Sequence, residues 1–245
     1  MFETELILWL QSFSVQWLTV VMDILTPLGS ARPFVALALI VTFGYDFQKG
    51  CILFQVVMWN GALTNFVKNM VALPRPMGVD AAVELLGEDT VHVTPFVAAD
   101  GDDFFDLPEP DAIEHYRAAA PSLGYGFPSS HVSMGTSFGL ASAALVRSRR
   151  VAAVALAYVL VVAFSRLYLG RHFLADVLGG FLVGAVVLVG VRAVVRTHVA
   201  RLVLHLRSVP DVWRSRQRAL LAALLVVPPL LLLVLGAESH FLSVG

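Results

Sequence analysis

The chain is short of charge, of cysteine and of lysine. Only 14% of its 245 residues are Asp, Glu, Lys or Arg, against 58% hydrophobic. With a mean hydropathy of +0.77, this balance excludes an ordinary soluble domain and leaves an all-α, polytopic membrane helix bundle as the expected fold class. The single cysteine, Cys51, excludes an intramolecular disulfide. Two lysines stand beside fifteen arginines, and a formal net charge of -1 conceals two signs that are segregated along the chain. Internal repeats and low-complexity tracts are absent to the eye. The N-terminus "MFETELILWL" carries Glu3 and Glu5 where a secretory leader would be basic, so a cleavable signal peptide is not expected.

What the chain does have is apolar runs of membrane-spanning length, which takes about 17–25 residues. The clear runs are 33–48, 51–72, 131–147, 151–169, 174–195 and 218–236, making six expected transmembrane helices. Residues 6–27 are apolar at Leu6, Leu10, Phe13, Trp17, Val21 and Ile24 but are interrupted by Gln11, Ser12, Ser14, Gln16 and Asp23. That pattern suits a helix lying in the interface better than one crossing it. The whole chain, 1–245, is expected to be one membrane domain, with 1–30 an interfacial or extra membrane helix and 77–127 a long loop.

Charge orients such a bundle. With six alternating helices, one side collects Lys49, Arg147, Arg149, Arg150, Arg192, Arg196, Arg201, Arg207, Arg214, Arg216 and Arg218, opposed only by Asp46 and Asp211. Basic loops stay in the cytoplasm, so the protein is expected in the cell membrane with loop 77–127 outside. That loop holds eleven acidic residues against the single Arg117 and reads as a solvated acidic surface. Asp100, Asp102 and Asp103 lack the full ligand pattern of a calcium loop.

Polar chemistry gathers on the outer side, at three helix junctions. The run 51–72 closes in "KNMVALPRP", which sets Lys68 and Arg75 seven residues apart, near one face if the helix persists. Pro74 and Pro76 stop it. The next helix opens with "PSSH", where Ser129 is a natural N-cap and His131 falls in the first turn. Between the following two runs lies "SRLYLGRHFLAD", in which His172 and Asp176 are spaced i,i+4, so the carboxylate reaches the imidazole. Lys68, Arg75 and Arg166 are cations, and Ser129 and Ser130 bring hydroxyls and helix-start N–H groups, a set that suits a dianionic oxyanion. One imidazole, oriented by Asp176, can attack phosphorus while the other protonates the leaving oxygen. Arg171, outside these spacings, reads as a snorkelling anchor at a helix end. Ionisable groups at membrane depth are costly, so their joint occurrence on one side points to function.

The stretches "KNMVALPRP", "PSSH" and "SRLYLGRHFLAD" resemble, in order and spacing, the three signature motifs of the type 2 phosphatidic acid phosphatase superfamily, K-x6-R-P, P-S-G-H and S-R-x5-H-x3-D. The one departure is Ser130 in place of the usual glycine, which an ordinary first helical turn tolerates. The resemblance implies an integral-membrane phosphatase acting on a lipid phosphate or diphosphate of the phosphatidate, phosphatidylglycerol phosphate or polyprenyl diphosphate type. It implies His172 as the nucleophile that becomes phosphohistidine, Asp176 as its orienting partner and His131 as the general acid. Lys68, Arg75, Ser129, Ser130 and Arg166 would form the phosphate clamp, with no metal or other cofactor. The expected partners are a lipid phosphate substrate and membrane lipids, not nucleic acid. The competing class is a non-catalytic anionic-lipid-binding or transport protein, which would use the three cations but has no need of a histidine held by Asp176.

Overall fold

The computed structural model describes residues 2–71, 73–80, 82–87 and 125–194. The run 218–236, most of the acidic loop and the basic segment beyond 194 lie outside these residues, as do His92, His115, His198, His205 and His240. The described residues form seven α-helices and no strand: α1 (Glu5–Ser12), α2 (Gln16–Leu25), α3 (Ala31–Gly44), α4 (Phe47–Val71), α5 (Ser130–Val146), α6 (Arg149–Tyr168) and α7 (Leu174–Val194).

Each boundary has a local cause. Asp46 accepts a hydrogen bond from the Lys49 backbone N–H (3.0 Å), which starts α4. Ser148 does the same for α6 by accepting from Val151 N–H (3.4 Å). Between them Arg147 takes the left-handed conformation that ends α5. Gly170, at φ +70°, ends α6, and the Arg166 carbonyl accepts from the backbone N–H groups of Arg171 (3.0 Å) and His172 (3.3 Å) beyond the turn.

The N-terminal region differs from the single helix expected over 6–27. It is two helices, split where Val15 is extended. Ser12, Phe13 and Ser14 supply little helix propensity there, and serine hydroxyls compete for the backbone, as Ser12 Oγ does by donating to Trp9 O (2.7 Å). α2 then runs through a 3₁₀ turn at Thr26–Gly29 into α3, and the two arms bend by 53°. By length and composition, three of the described helical stretches can cross a membrane, beginning at Phe47, Arg149 and Leu174, and a fourth can if the bent pair is one span.

α5 sits at the centre, packed by α4, α6 and α7. Its approach to α7 is close because α7 offers glycines: a Cβ on Gly180 would lie 2.7 Å from the Ser129 carbonyl oxygen, and one on Gly184 would lie 2.6 Å from that of Ser133. Its approach to α4 is polar. Asn60, fully buried, donates to the Ser133 carbonyl (3.1 Å), Ser133 Oγ (2.8 Å) and Ser137 Oγ (3.0 Å). In a hydrocarbon surrounding such groups must be satisfied internally, so this network fixes the register of α4 on α5. Below it Phe34, Leu53, Val57, Phe138 and Val187 fill a common apolar core.

Candidate active site

The packing just described brings the three motif junctions to one end of the bundle. α7 begins at Leu174, two residues after His172, with Asp176 in its first turn. Asp176 Oδ2 accepts from the Phe173 backbone N–H (3.0 Å) and meets His172 Nδ1 (3.2 Å). The same carboxylate oxygen therefore helps start the helix and holds the imidazole. Both side chains are buried, at 2% exposure each. Burial first, then the nearby charges of Arg166, Arg75 and Lys68, pushes the His172 imidazole well below its ordinary value. At neutral pH it is an uncharged imidazole, the form that carries a lone pair.

α5 enters from the other side. Ser129 occupies its N-cap position with an extended backbone, as expected, but its hydroxyl makes no cap bond. The Ser129 carbonyl accepts the first helical bond, from Ser133 N–H (3.0 Å), and Ser129 N–H donates to the Asp176 carbonyl (2.9 Å), which ties the start of α5 to α7. Ser129 Oγ is left buried with no partner among the described residues, and so is His131 Nε2. Buried polar atoms without partners are rare and call for an explanation. Ser130 takes the first α-helical position with no strain, since Arg147 is the only described non-glycine residue with positive φ.

The third junction is the end of α4. Lys68 lies in its last turn and donates to the carbonyls of Tyr125 (2.6 Å) and Gly126 (3.3 Å). The helix does not persist to Arg75, as the helical spacing required. It ends at Val71, and Arg75 is extended at the head of a short 3₁₀ turn, Pro76–Gly78, because Pro74 and Pro76 exclude helix there. Arg75 still reaches the site, for its charge, with those of Lys68 and Arg166, acts on both His131 and His172. Its Nε is buried without a described partner. Gly126 lets strand-like main chain pass between these junctions: a Cβ there would lie 2.5 Å from the Pro74 carbonyl oxygen and 3.1 Å from Asp176 Oδ2. Arg166, 4% exposed, completes the ring from the last turn of α6.

All eight residues singled out in the sequence thus converge: Lys68, Arg75, Ser129, Ser130, His131, Arg166, His172 and Asp176. Arg171 departs from its expected role. It is 2% exposed rather than snorkelling, and its guanidinium donates to Asp23 of α2 (2.8 Å). Asp23 and Asn60 had no assigned role. Asn60, in "MWNGALTN", is the sort of polar residue inside an apolar run that signals an interhelical bond, and Asp23, which interrupts the run 6–27, carries the same signal without indicating its partner.

Comparison with curated proteins gives no match. Among solved structures the chain is similar to that of a transmembrane PAP2-type phosphatidylglycerolphosphate phosphatase from Bacillus subtilis. The TM-score is 0.56 and the identity 20%, over 80% of this chain and 85% of that one. This is a likeness of fold. The family model of the PAP2 superfamily matches residues 49–200, more than half of the chain and a stretch that holds all eight gathered residues. With its apolar helices and its motif junctions folded to one end, this membrane protein belongs to the PAP2 superfamily.

Proposed function

We propose that the protein hydrolyses a lipid phosphate or diphosphate, of the phosphatidate, phosphatidylglycerol phosphate or polyprenyl diphosphate type, through a phosphohistidine on His172. One observation carries the reading: an imidazole tied at Nδ1 to a buried carboxylate at 3.2 Å, set among three cations. A site that only binds an anion gains nothing from that tie.

With Nδ1 engaged by Asp176, the lone pair available for attack is on Nε2. Lys68, Arg75 and Arg166 neutralise the phosphoryl oxygens, and Ser129 Oγ and the first N–H groups of α5 donate to them. Nε2 forms a bond to phosphorus as the bond to the lipid oxygen breaks, and His131 gives that oxygen a proton. The bound dianion favours a protonated His131 by its charge. His131 then takes a proton from water as the water oxygen attacks phosphorus, the N–P bond breaks, and inorganic phosphate leaves. We place the site on the extracytoplasmic face of a single membrane domain spanning 1–245, with α1 and α2 in the interface.

The test is phosphate release by the purified protein, without added metal, across vesicles containing each of the three lipid classes. Wild type is expected to release phosphate and to form an acid-labile phosphoenzyme, and His172→Ala to do neither. Turnover by His172→Ala at a rate near wild type overturns the covalent route.

A further inference from the structure

The residue next to the proposed nucleophile is held by the N-terminal helices. Arg171, almost wholly buried, donates through Nη2 to Asp23 Oδ1 at 2.8 Å. Space around this pair is closed by Gly87, where a Cβ would lie 2.6 Å from Asp23 Oδ1 and 3.2 Å from Arg171 Nη2. The same turn is gripped at further points. Gln11 Nε2 donates to the Tyr168 carbonyl (3.4 Å) and to that of Glu84 (2.6 Å). The Tyr168 hydroxyl accepts from Val15 N–H (3.3 Å) and lies 3.0 Å from Thr19 Oγ1. Leu86 N–H donates to the Leu169 carbonyl (3.2 Å).

These contacts run from α1, α2 and the 84–87 segment to a turn of four residues, 168–171, that ends at His172. They come from outside the stretch matched by the family model, in the case of α1 and α2. A guanidinium held by a carboxylate is directional, because its donors lie in one plane, and the main chain of Arg171 is fixed besides by the Arg166 carbonyl. We infer that Asp23 is a positioning residue for the proposed reaction: through Arg171 it sets where the His172 imidazole stands relative to the phosphate clamp. This rests on the phosphatase reading above, and it makes α2 part of the catalytic apparatus without contact with substrate.

The experiment is a double-mutant cycle with Asp23→Asn, Arg171→Gln and the pair together, run on the full-length purified protein. Beside it stand Asp23→Glu as the charge-retaining variant and His172→Ala as the control of the reading. Rates are normalised to folded protein by thermal unfolding. Asp23→Asn is expected to lower kcat by about tenfold while leaving KM nearly unchanged, since misplacement of a reacting group acts on the chemical step. The double variant is expected to be no worse than either single one, and Asp23→Glu to recover part of the loss. Wild-type kcat per folded molecule in Asp23→Asn, or additive losses in the pair, overturns the inference while leaving the phosphatase reading intact. Turnover by His172→Ala, or an inactive wild type, overturns both.

Discussion

Replacing Asp176 by Asn separates two tasks that one carboxylate performs. Oδ2 accepts from Phe173 N–H at 3.0 Å and meets His172 Nδ1 at 3.2 Å. In Asn, the atom facing the Phe173 N–H must be the amide oxygen, because an NH2 there would oppose donor to donor. The oxygen stays where Oδ2 was, the imidazole keeps its proton on Nδ1, and Nε2 keeps its lone pair. What is lost is charge. A hydrogen bond to a charged group contributes about 1.5–3 kcal/mol and a neutral one about 0.5–1.5 kcal/mol, so the midpoints differ by about 1.25 kcal/mol, or about eightfold in rate. Asp176→Ala removes the oxygen itself, untethers the ring and unmakes the helix-start bond, for a loss of about 10²-fold or more. The assay is single-turnover formation of the phosphoenzyme from a lipid phosphate, per folded molecule. If Asp176→Asn is as inactive as Asp176→Ala, the main-chain N–H does not pin the amide, and the account of the site's orientation is wrong.

Four further outcomes are expected. His131→Ala should slow turnover of a lipid phosphate by about 10²–10⁴-fold, but turnover of an aryl phosphate, whose leaving oxygen needs little protonation, far less. Equal slowing of both in parallel assays would make His131 part of the clamp. Because its folded value is lowered, the His172 imidazole keeps its lone pair as pH falls through the ordinary histidine range and loses it only well below that range. Phosphoenzyme formation measured against pH should therefore show no loss from this group near pH 6.5. Gly184→Ala sets a methyl 2.6 Å from the Ser133 carbonyl oxygen, where ordinary contact begins at 3.4 Å. α5 and α7 must part to admit it, and kcat should fall by about tenfold or more, read against a thermal unfolding control. Finally, topology reporters fused near Gly101 and Ser208 should report outside and inside the cell respectively, and the reverse pattern would invert the bundle.

The site was legible in the sequence to an unusual degree because its parts sit at helix ends, and helix ends are written in short local patterns. Pro74 and Pro76 close α4, and His172 and Asp176 carry their spacing on one turn. What local pattern could not show was how the ends meet. Ser129 has the sequence position of a side-chain cap, yet its hydroxyl makes no cap bond and its N–H is tied to the Asp176 carbonyl of another helix. Lys68 and Arg75 come together although the helix that would align them stops at Val71. The Asp23 to Arg171 pair spans 148 positions, and nothing near either residue announces the other. Residues 6–27 showed their apolar face but not their break, since one extended valine leaves no periodic trace.

Lys68 is also a mooring for main chain. Its ammonium gathers the Tyr125 and Gly126 carbonyls, and the main chain they belong to leads, three residues on from Gly126, to Ser129. The cation of the proposed phosphate clamp is thus also what anchors the leading edge of α5. In the proposed reaction a phosphoryl oxygen would join a cation whose position is already set by two carbonyl dipoles, so that little rearrangement is needed on binding. The same two carbonyl oxygens damp the repulsion of Lys68 by Arg75 and Arg166.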